Sequence, residues 1–504
     1  MDRLSPALLF DRTPAGPARP SAHPAARGQG AERAFATFAV LWSMASIFHQ
    51  IAYPIRHVNG PAFALTLAAL WLLLRPSSVG RLLLLAAVQV GWVAYSFPNY
   101  VTNHWIFTAF INAAILLSFV TLVATRRHLR VDGGRLFETF APPARVSLVI
   151  LYFYAVFHKL NTDYFNPETS CAVDHYRSIA SWVWLLPTAA WTYPFAIAGS
   201  LLIESAIPLF LCFRRTRVAG LFLGLCFHMM LGVNPNHRFF NFSAMVFAVY
   251  FLFLPFNFRD ALREILAGTG GGRRVLVWAG SRRAGLALRA LVWGAIAVVG
   301  GVFLFDATSR IAQLDADLSA ISRALWLVYG GLLIAVFLLS VRRWNVVDAT
   351  SFLVTLRPTH RILWIIPVVV FFNGLNPYLG LKTDSAFSMF SNLRTEGGST
   401  NHFIMPGGIR PVGYQDDLVR VIDASPGRLK TAAERGYLLT YFELRRITAA
   451  NPEMSLTYIR NGEMHTVPRV GDDPELSRHF PLWQRMILDF RPVDLSGTRY
   501  MCVH

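Results

Sequence analysis

The feature that most constrains this chain is its succession of apolar runs. They fall at about 34–53, 62–74, 82–97, 104–124, 143–159, 189–213, 218–233 and 239–256, and again near 290–305, 324–341 and 361–373. A helix needs about 20 apolar residues to cross the hydrocarbon layer of a bilayer. Inside that layer only structures that satisfy every backbone group internally are stable. The chain is therefore read as an all-α polytopic membrane bundle of about 8–11 transmembrane helices, with a small α+β extracytoplasmic C-terminal domain. Composition agrees: 54% of the 504 residues are apolar and only 15% are charged, against roughly 45–50% and 25% in soluble domains.

The net charge of +18 does not imply nucleic acid. The basic residues lie in short loops between apolar runs, and no basic and aromatic binding surface or known module is visible. Their placement sets orientation instead. With the N-terminus inside, Arg75, Arg81, the arginines of 126–145, 214–217 and 259–289, and Arg342, Arg343 and Arg357 all fall on the cytoplasmic side. That is about twenty basic side chains, against roughly half a dozen outside. An inner or plasma-membrane protein with a cytoplasmic N-terminus and an extracytoplasmic C-terminal domain follows, with anionic lipid headgroups as neighbours.

Residues 1–33, rich in Pro, Ala, Gly and Arg, read as a disordered tail. Residues 34–256 form the main membrane unit. Residues 257–373 add a basic, Gly-rich cytoplasmic loop and further transmembrane helices. GRLFETFA at 134–141 suits the membrane interface before Pro142-Pro143, and the 160–187 loop has room for a short interfacial helix. In the soluble domain, 374–504, a helix is expected over 437–447 and a hairpin where Asn461-Gly462 separates two strand-like runs. Further strands are expected near 417–423 and 498–503. The four cysteines show no metal-binding spacing, and no metal is expected. Cys212 and Cys226 lie in membrane helices. Cys171 and Cys502 both fall outside, and whether they pair is open, because sequence does not fix pairing.

Ionisable groups inside a bilayer are costly and mark cavities, pathways or sites. Here they gather towards one, outer, half. His158 and Lys159 end the fifth span; His104 begins the fourth, with Thr108 and Asn112 on the same helical face. Glu204 lies deep in the sixth, His228 in the seventh, and Asn241 and Ser243 open the eighth; His49 and Gln50 lie near the outer end of the first. Each has a plain alternative: a lysine snorkelling to the headgroups, or Asn, Thr and His packed by interhelical hydrogen bonds. An amine beside low dielectric also has a lowered pKa and can act as a base.

Several stretches, in order, carry a resemblance. They are Asn103-His104; FHKLNTDYFNP at 157–167; Leu202-Ile203-Glu204-Ser205; Phe227-His228-Met229; and Phe240-Asn241-Phe242-Ser243-Ala244-Met245. Together they resemble the HTTM family, which includes the vitamin K-dependent gamma-glutamyl carboxylases, over roughly 34–256. The Arg/Ala/Gly-rich composition suggests a bacterial member. The resemblance implies a membrane-embedded lyase. Lys159 would be the base towards a reduced vitamin K-like quinol, and His104 would aid carboxylation. His158, Glu204, His228, Asn112 and Asn241 would bind cofactor or substrate. Oxygen and carbon dioxide would be consumed, and a peptide or protein glutamate would be the acceptor, recognised by the tail. Ser391 to Glu396 either caps such a site or is an ordinary solvated loop. The alternative is a non-catalytic lipid-binding, transport or assembly protein of the same family.

Overall fold

The computed structural model describes residues 24–52, 60–96, 101–255, 258–304, 315–341, 355–405, 407, 410–494 and 502. Five helices open the bundle: α1 (Pro24–Ala52), α2 (Gly60–Leu73), α3 (Val79–Ser96), α4 (Asn103–Arg126) and α5 (Gly133–Phe157). Two short helices follow, α6 (Thr162–Phe165) and α7 (Cys171–Ala180). Then come α8 (Tyr193–Cys212), α9 (Arg217–Gly232) and α10 (Phe240–Phe251). Among the described residues, eight helices are long and apolar enough to cross a membrane, and 62–73, 217–232 and 240–251 are apolar but shorter.

The last of these, α10, lies in the core. Nearly every residue of α10 is buried, on all faces. A helix apolar all round belongs to a core rather than a lipid-facing surface. It lies against α1, whose Phe35, Phe38, Trp42 and Phe48 are also buried. Phe48 meets Phe240 edge-on at 6.1 Å, and Phe38 packs on Phe140 of α5 at 5.0 Å. The centre is thus an aromatic core between α1, α5 and α10.

Several boundaries differ from the sequence reading. Helix α1 begins at Pro24, so the described end of the N-terminal tail is helical; residues 1–23 lie outside the described residues. Glu32 of α1 accepts a hydrogen bond from the Gly134 amide at 3.0 Å, and Arg33 pairs with Asp260, so this turn is tied to two later elements. The segment 134–141 is not a separate interfacial piece. It runs on through Pro142 and Pro143 into one helix, capped by Asp132, whose carboxylate accepts from the Arg135 amide at 2.7 Å. The basic loop after α10 contains two helices, α11 (Phe258–Ala267) and α12 (Gly270–Ala279). Thr269 caps the second by accepting from the Gly272 amide at 3.0 Å, so its glycine run starts a helix instead of forming a loop. Helices α13 (Arg282–Leu304), α14 (Asp315–Val341) and α15 (Ile365–Leu379) complete the membrane-type part.

The C-terminal domain holds an antiparallel sheet in the order β2-β1-β3-β4, from β1 (Leu418–Ala424), β2 (Leu438–Thr440), β3 (Leu456–Arg460) and β4 (Glu463–Val467). Asn461 and Gly462, with φ of 52° and 85°, make the tight turn expected from their sequence. The helix expected over 437–447 splits. Its first residues are β2, and the helix Tyr441–Ala449 starts where Thr440 accepts from the Glu443 amide at 3.2 Å. Of the strand expected at 498–503, only Cys502 is described. It is bonded to Cys171, with the two Cα atoms 5.3 Å apart, which settles the pairing the sequence left open.

Candidate functional site

Lys159 is placed by the way α5 ends. The His158 and Lys159 amides close the last turn on the Tyr154 and Val156 carbonyls, both at 3.0 Å. Asn161 then fixes the exit: its side-chain amide donates to the His158 and Ser391 carbonyls at 2.7 Å each, while its oxygen accepts from the Tyr164 amide at 2.9 Å and caps α6. With the backbone locked, Lys159 turns inward to form an ion pair with Glu204 of α8. The two side chains are 8% and 12% exposed, so this is a buried pair and not a lysine snorkelling to headgroups. The Tyr164 ring lies 5.6 Å from Lys159 Nζ, and the Tyr164 hydroxyl is 2.7 Å from Ser200, one turn before Glu204 on α8.

The pair stands on the wall of a cavity of about 730 Å³ whose lining is mostly apolar. His104, Tyr152, His228 and Asn241 line the same cavity. Asn241, in the first turn of α10, donates to His104 Nε2 at 3.0 Å, which places the His104 proton on Nδ1. The His49 ring of α1 lies beside it at a tilt of 52°, with centroids 5.1 Å apart. His228 Nε2 lies 2.6 Å from the Tyr152 hydroxyl, which also contacts the Tyr250 hydroxyl. Gly224 makes room for this chain: a Cβ there would overlap the Tyr250 ring. At its other end the cavity reaches Trp191 and Phe195, both well exposed at the start of α8.

Two of the residues singled out in the sequence sit elsewhere. Asn112 donates to Gln89 at 2.9 Å and accepts from the Trp42 indole at 2.8 Å, joining α4, α3 and α1. The His158 ring nitrogens lie 3.1 and 3.0 Å from the Phe387 and Gly374 carbonyls. A Cβ at Gly374 would overlap Tyr154, so only glycine lets α15 approach α5 this closely. Three tyrosines of the site, Tyr152, Tyr164 and Tyr250, were not singled out. Tyr152 precedes Lys159 by seven residues, two helical turns on one face, which was a usable signal; Tyr250 had none.

The segment 383–396 is a buried plug, not a solvated loop. Met389 and Phe390 line the cavity, and Asn392 accepts from the Cys171 amide at 2.8 Å. Arg394 pairs with Asp163 at 2.6 Å, beside the Lys159 loop. Ser385, Phe387, Phe390 and Asn392 all have positive φ, between 48° and 61°. That conformation costs a non-glycine residue roughly 1–2 kcal/mol, and packing on all sides offsets it. Beneath the plug lies a buried charge cluster. Arg446 pairs with Glu443 at 2.6 Å and with Asp489 at 3.6 Å, and Ser385 donates to Asp384 and Asp489 at 2.7 and 3.3 Å. Burial, reinforced by the charge of Asp489, pushes the Asp384 carboxyl up to about 8. Burial likewise raises Asp489 to about 6 and lowers Lys382 to about 8.

Residues 142–258 match the HTTM domain. The chain therefore carries an HTTM domain, and its apolar helices fit a membrane protein of that family. His158, Lys159, Glu204, His228 and Asn241 lie within the matched stretch; His104 and Asn112 precede it. No curated protein and no solved structure matches the chain.

Proposed function

We propose that this protein is an integral membrane enzyme in which Lys159, paired with Glu204, takes a proton from a lipid-soluble hydroquinone, in the manner of a vitamin K-dependent gamma-glutamyl carboxylase. The carrying observation is the Lys159–Glu204 pair on the wall of a large apolar cavity. A hydroquinone ring with an aliphatic chain fits that lining. Ring and chain would lie along Phe195, Phe227 and Phe242, and one of the two hydroxyls would face Lys159. When bound, such a hydroquinone supplies the reducing equivalents for oxygen, and through them the strong base that carboxylation of a glutamate requires.

The residues of the chain do the rest. A protonated amine beside a carboxylate has one acceptor site for an incoming proton. If Glu204 takes the ammonium proton, the neutral Lys159 Nζ takes the proton of the hydroxyl, and the pair ends with one proton more than it began. His104, held by Asn241 with its proton on Nδ1, can donate to a developing carboxylate. The Tyr250–Tyr152–His228 chain gives a second route for protons away from the cavity. Met389 and Phe390 of the plug cover part of the site, and water displaced there would strengthen each of these interactions. Two features support an outward-facing site. The basic residues lie in the loops of the opposite side, and disulfides such as Cys171–Cys502 persist in oxidising compartments.

The test is direct. Protein in lipid is given reduced naphthoquinone, oxygen, labelled bicarbonate and a Glu-containing peptide. Label incorporation or quinone epoxide in the wild type, lost in Lys159→Ala, is expected. Equal signals from both proteins would remove Lys159 from the chemistry. Hydroquinone that binds in a Lys159-dependent way without turnover would move the reading to a lipid-binding protein.

A further inference from the structure

A second group of chemically able side chains lies at the edge of the same cavity. Asp174 and His175 lie in the first half of α7, and His237 follows α9. One donor atom from each lies within 4.8 Å of the other two. The Asp174 carboxylate is 4.0 Å from His175 Nδ1 and 3.9 Å from His237 Nε2. Their side chains are partly buried, and His175 lines the cavity.

The scaffold around them is built. Asn234 accepts from the amides of Asn236 and His237 at 2.9 and 3.1 Å, which sets the turn that carries His237. The same Asn234 oxygen accepts from Ser178 of α7 at 2.7 Å, so this turn is tied to the helix that bears Asp174 and His175. The disulfide at Cys171 anchors the start of that helix. Phe239 stacks on the His237 ring at 5.1 Å, and Phe390 meets the His175 ring at 4.5 Å. An apolar collar of this kind restricts water and favours metal–ligand bonds over hydration.

We infer that Asp174, His175 and His237 form a site for a first-row divalent transition ion, with a coordination position left for an oxygen ligand from the cavity. Two imidazoles and one carboxylate suit zinc and iron(II), and three protein ligands with an open position are the arrangement of sites that bind a further ligand. Ligands of a tetrahedral zinc at about 2.1 Å stand roughly 3.4 Å apart. The three donors need only draw together by about an ångström. The inference does not depend on the chemistry proposed for Lys159.

Full-length, untagged protein in detergent would be stripped with chelator and titrated with Co²⁺, then with Zn²⁺. One Co²⁺ per chain is expected, with the ligand-field absorption of a low-coordinate site, displaced by Zn²⁺. His237→Asn and Asp174→Asn should each weaken Zn²⁺ binding at least tenfold, with elution volume and the Cys171–Cys502 crosslink unchanged. A wild type with its crosslink intact and no such absorption would overturn the inference. Co²⁺ binding that persists in the doubly substituted protein would do the same.

Discussion

His158 and Lys159 are neighbours in the chain, both basic and both buried at the end of one helix, yet they serve two different regions. Lys159 faces the cavity, where its partner is another ionisable side chain. His158 faces away, into the seam between α5, α15 and the plug, where its partners are backbone carbonyls. The same division runs through the whole polar set. His104, Glu204, His228 and Asn241 border open volume, whereas Asn112, Gln89 and Asn161 are consumed by packing. Buried polar groups of either kind must be satisfied. What separates them is whether a neighbour is an empty space that a ligand can enter.

That division can be broken by substitution, and the largest effect should fall on the pair. Replacing Lys159 by Met alone leaves a buried carboxylate without its partner, a loss of about 3–5 kcal/mol. Lys159→Met with Glu204→Gln should recover most of that stability in a thermal melt. Turnover in the assay above should remain at least a hundredfold down, since a positioned base contributes about 10²–10⁴. Recovery of both stability and turnover would mean the pair is packing. Next in size, His158→Ala should cost about 2–4 kcal/mol through lost packing and a buried carbonyl left without its donor. It should also expose the 383–405 segment to limited proteolysis. If the plug stays resistant, His158 does not hold it.

A third effect comes from pH. Asp384 and Asp489 bind their protons more tightly folded than unfolded, so they stabilise the plug most at low pH. That contribution is lost as pH rises through about 6 and 8. Lys382, lowered to about 8, adds the opposite trend only above that point. The C-terminal domain should therefore melt at a higher temperature at pH 5 than at pH 8, and Asp384→Asn should flatten the difference. The smallest effect belongs to Asn112→Leu, which should cost about 1–3 kcal/mol by stranding Gln89 and Trp42. Activity per folded molecule should be unchanged. A change in substrate affinity there would place Asn112 with the cavity after all.

The sequence carried the helix-rich bundle well, because apolar runs and their interruptions are local properties. It also carried the Asn461-Gly462 hairpin, since that turn is chosen by two adjacent residues. It failed where capping decides. Asp132 and Thr269 turn segments that read as interface and loop into helix starts, and Thr440 cuts an expected helix into strand and helix. Of the site, Lys159 and Glu204 were legible as charges in apolar surroundings, but not as a pair, because 45 residues separate them. The roles of His158 and the plug were hidden for the same reason: the Phe387 and Gly374 carbonyls leave no mark in side-chain chemistry. Asp174 and His175 stand more than sixty residues before His237 in the chain, so no local spacing rule could have joined them.

The crosslink between Cys171 and Cys502 spans 331 residues. It can close only after everything between them has been synthesised and the tail has returned to α7. Until then the HTTM helices hold a cup without its lid, because Met389 and Phe390 reach the cavity wall from the far side of the chain. The cavity wall supplied by α4 to α10 is therefore completed by residues that lie more than a hundred positions further along the chain. The bowl stays open for the time taken to build α11 through the plug. Oxidation of that one cysteine pair is then the chemical record that the bowl has been covered.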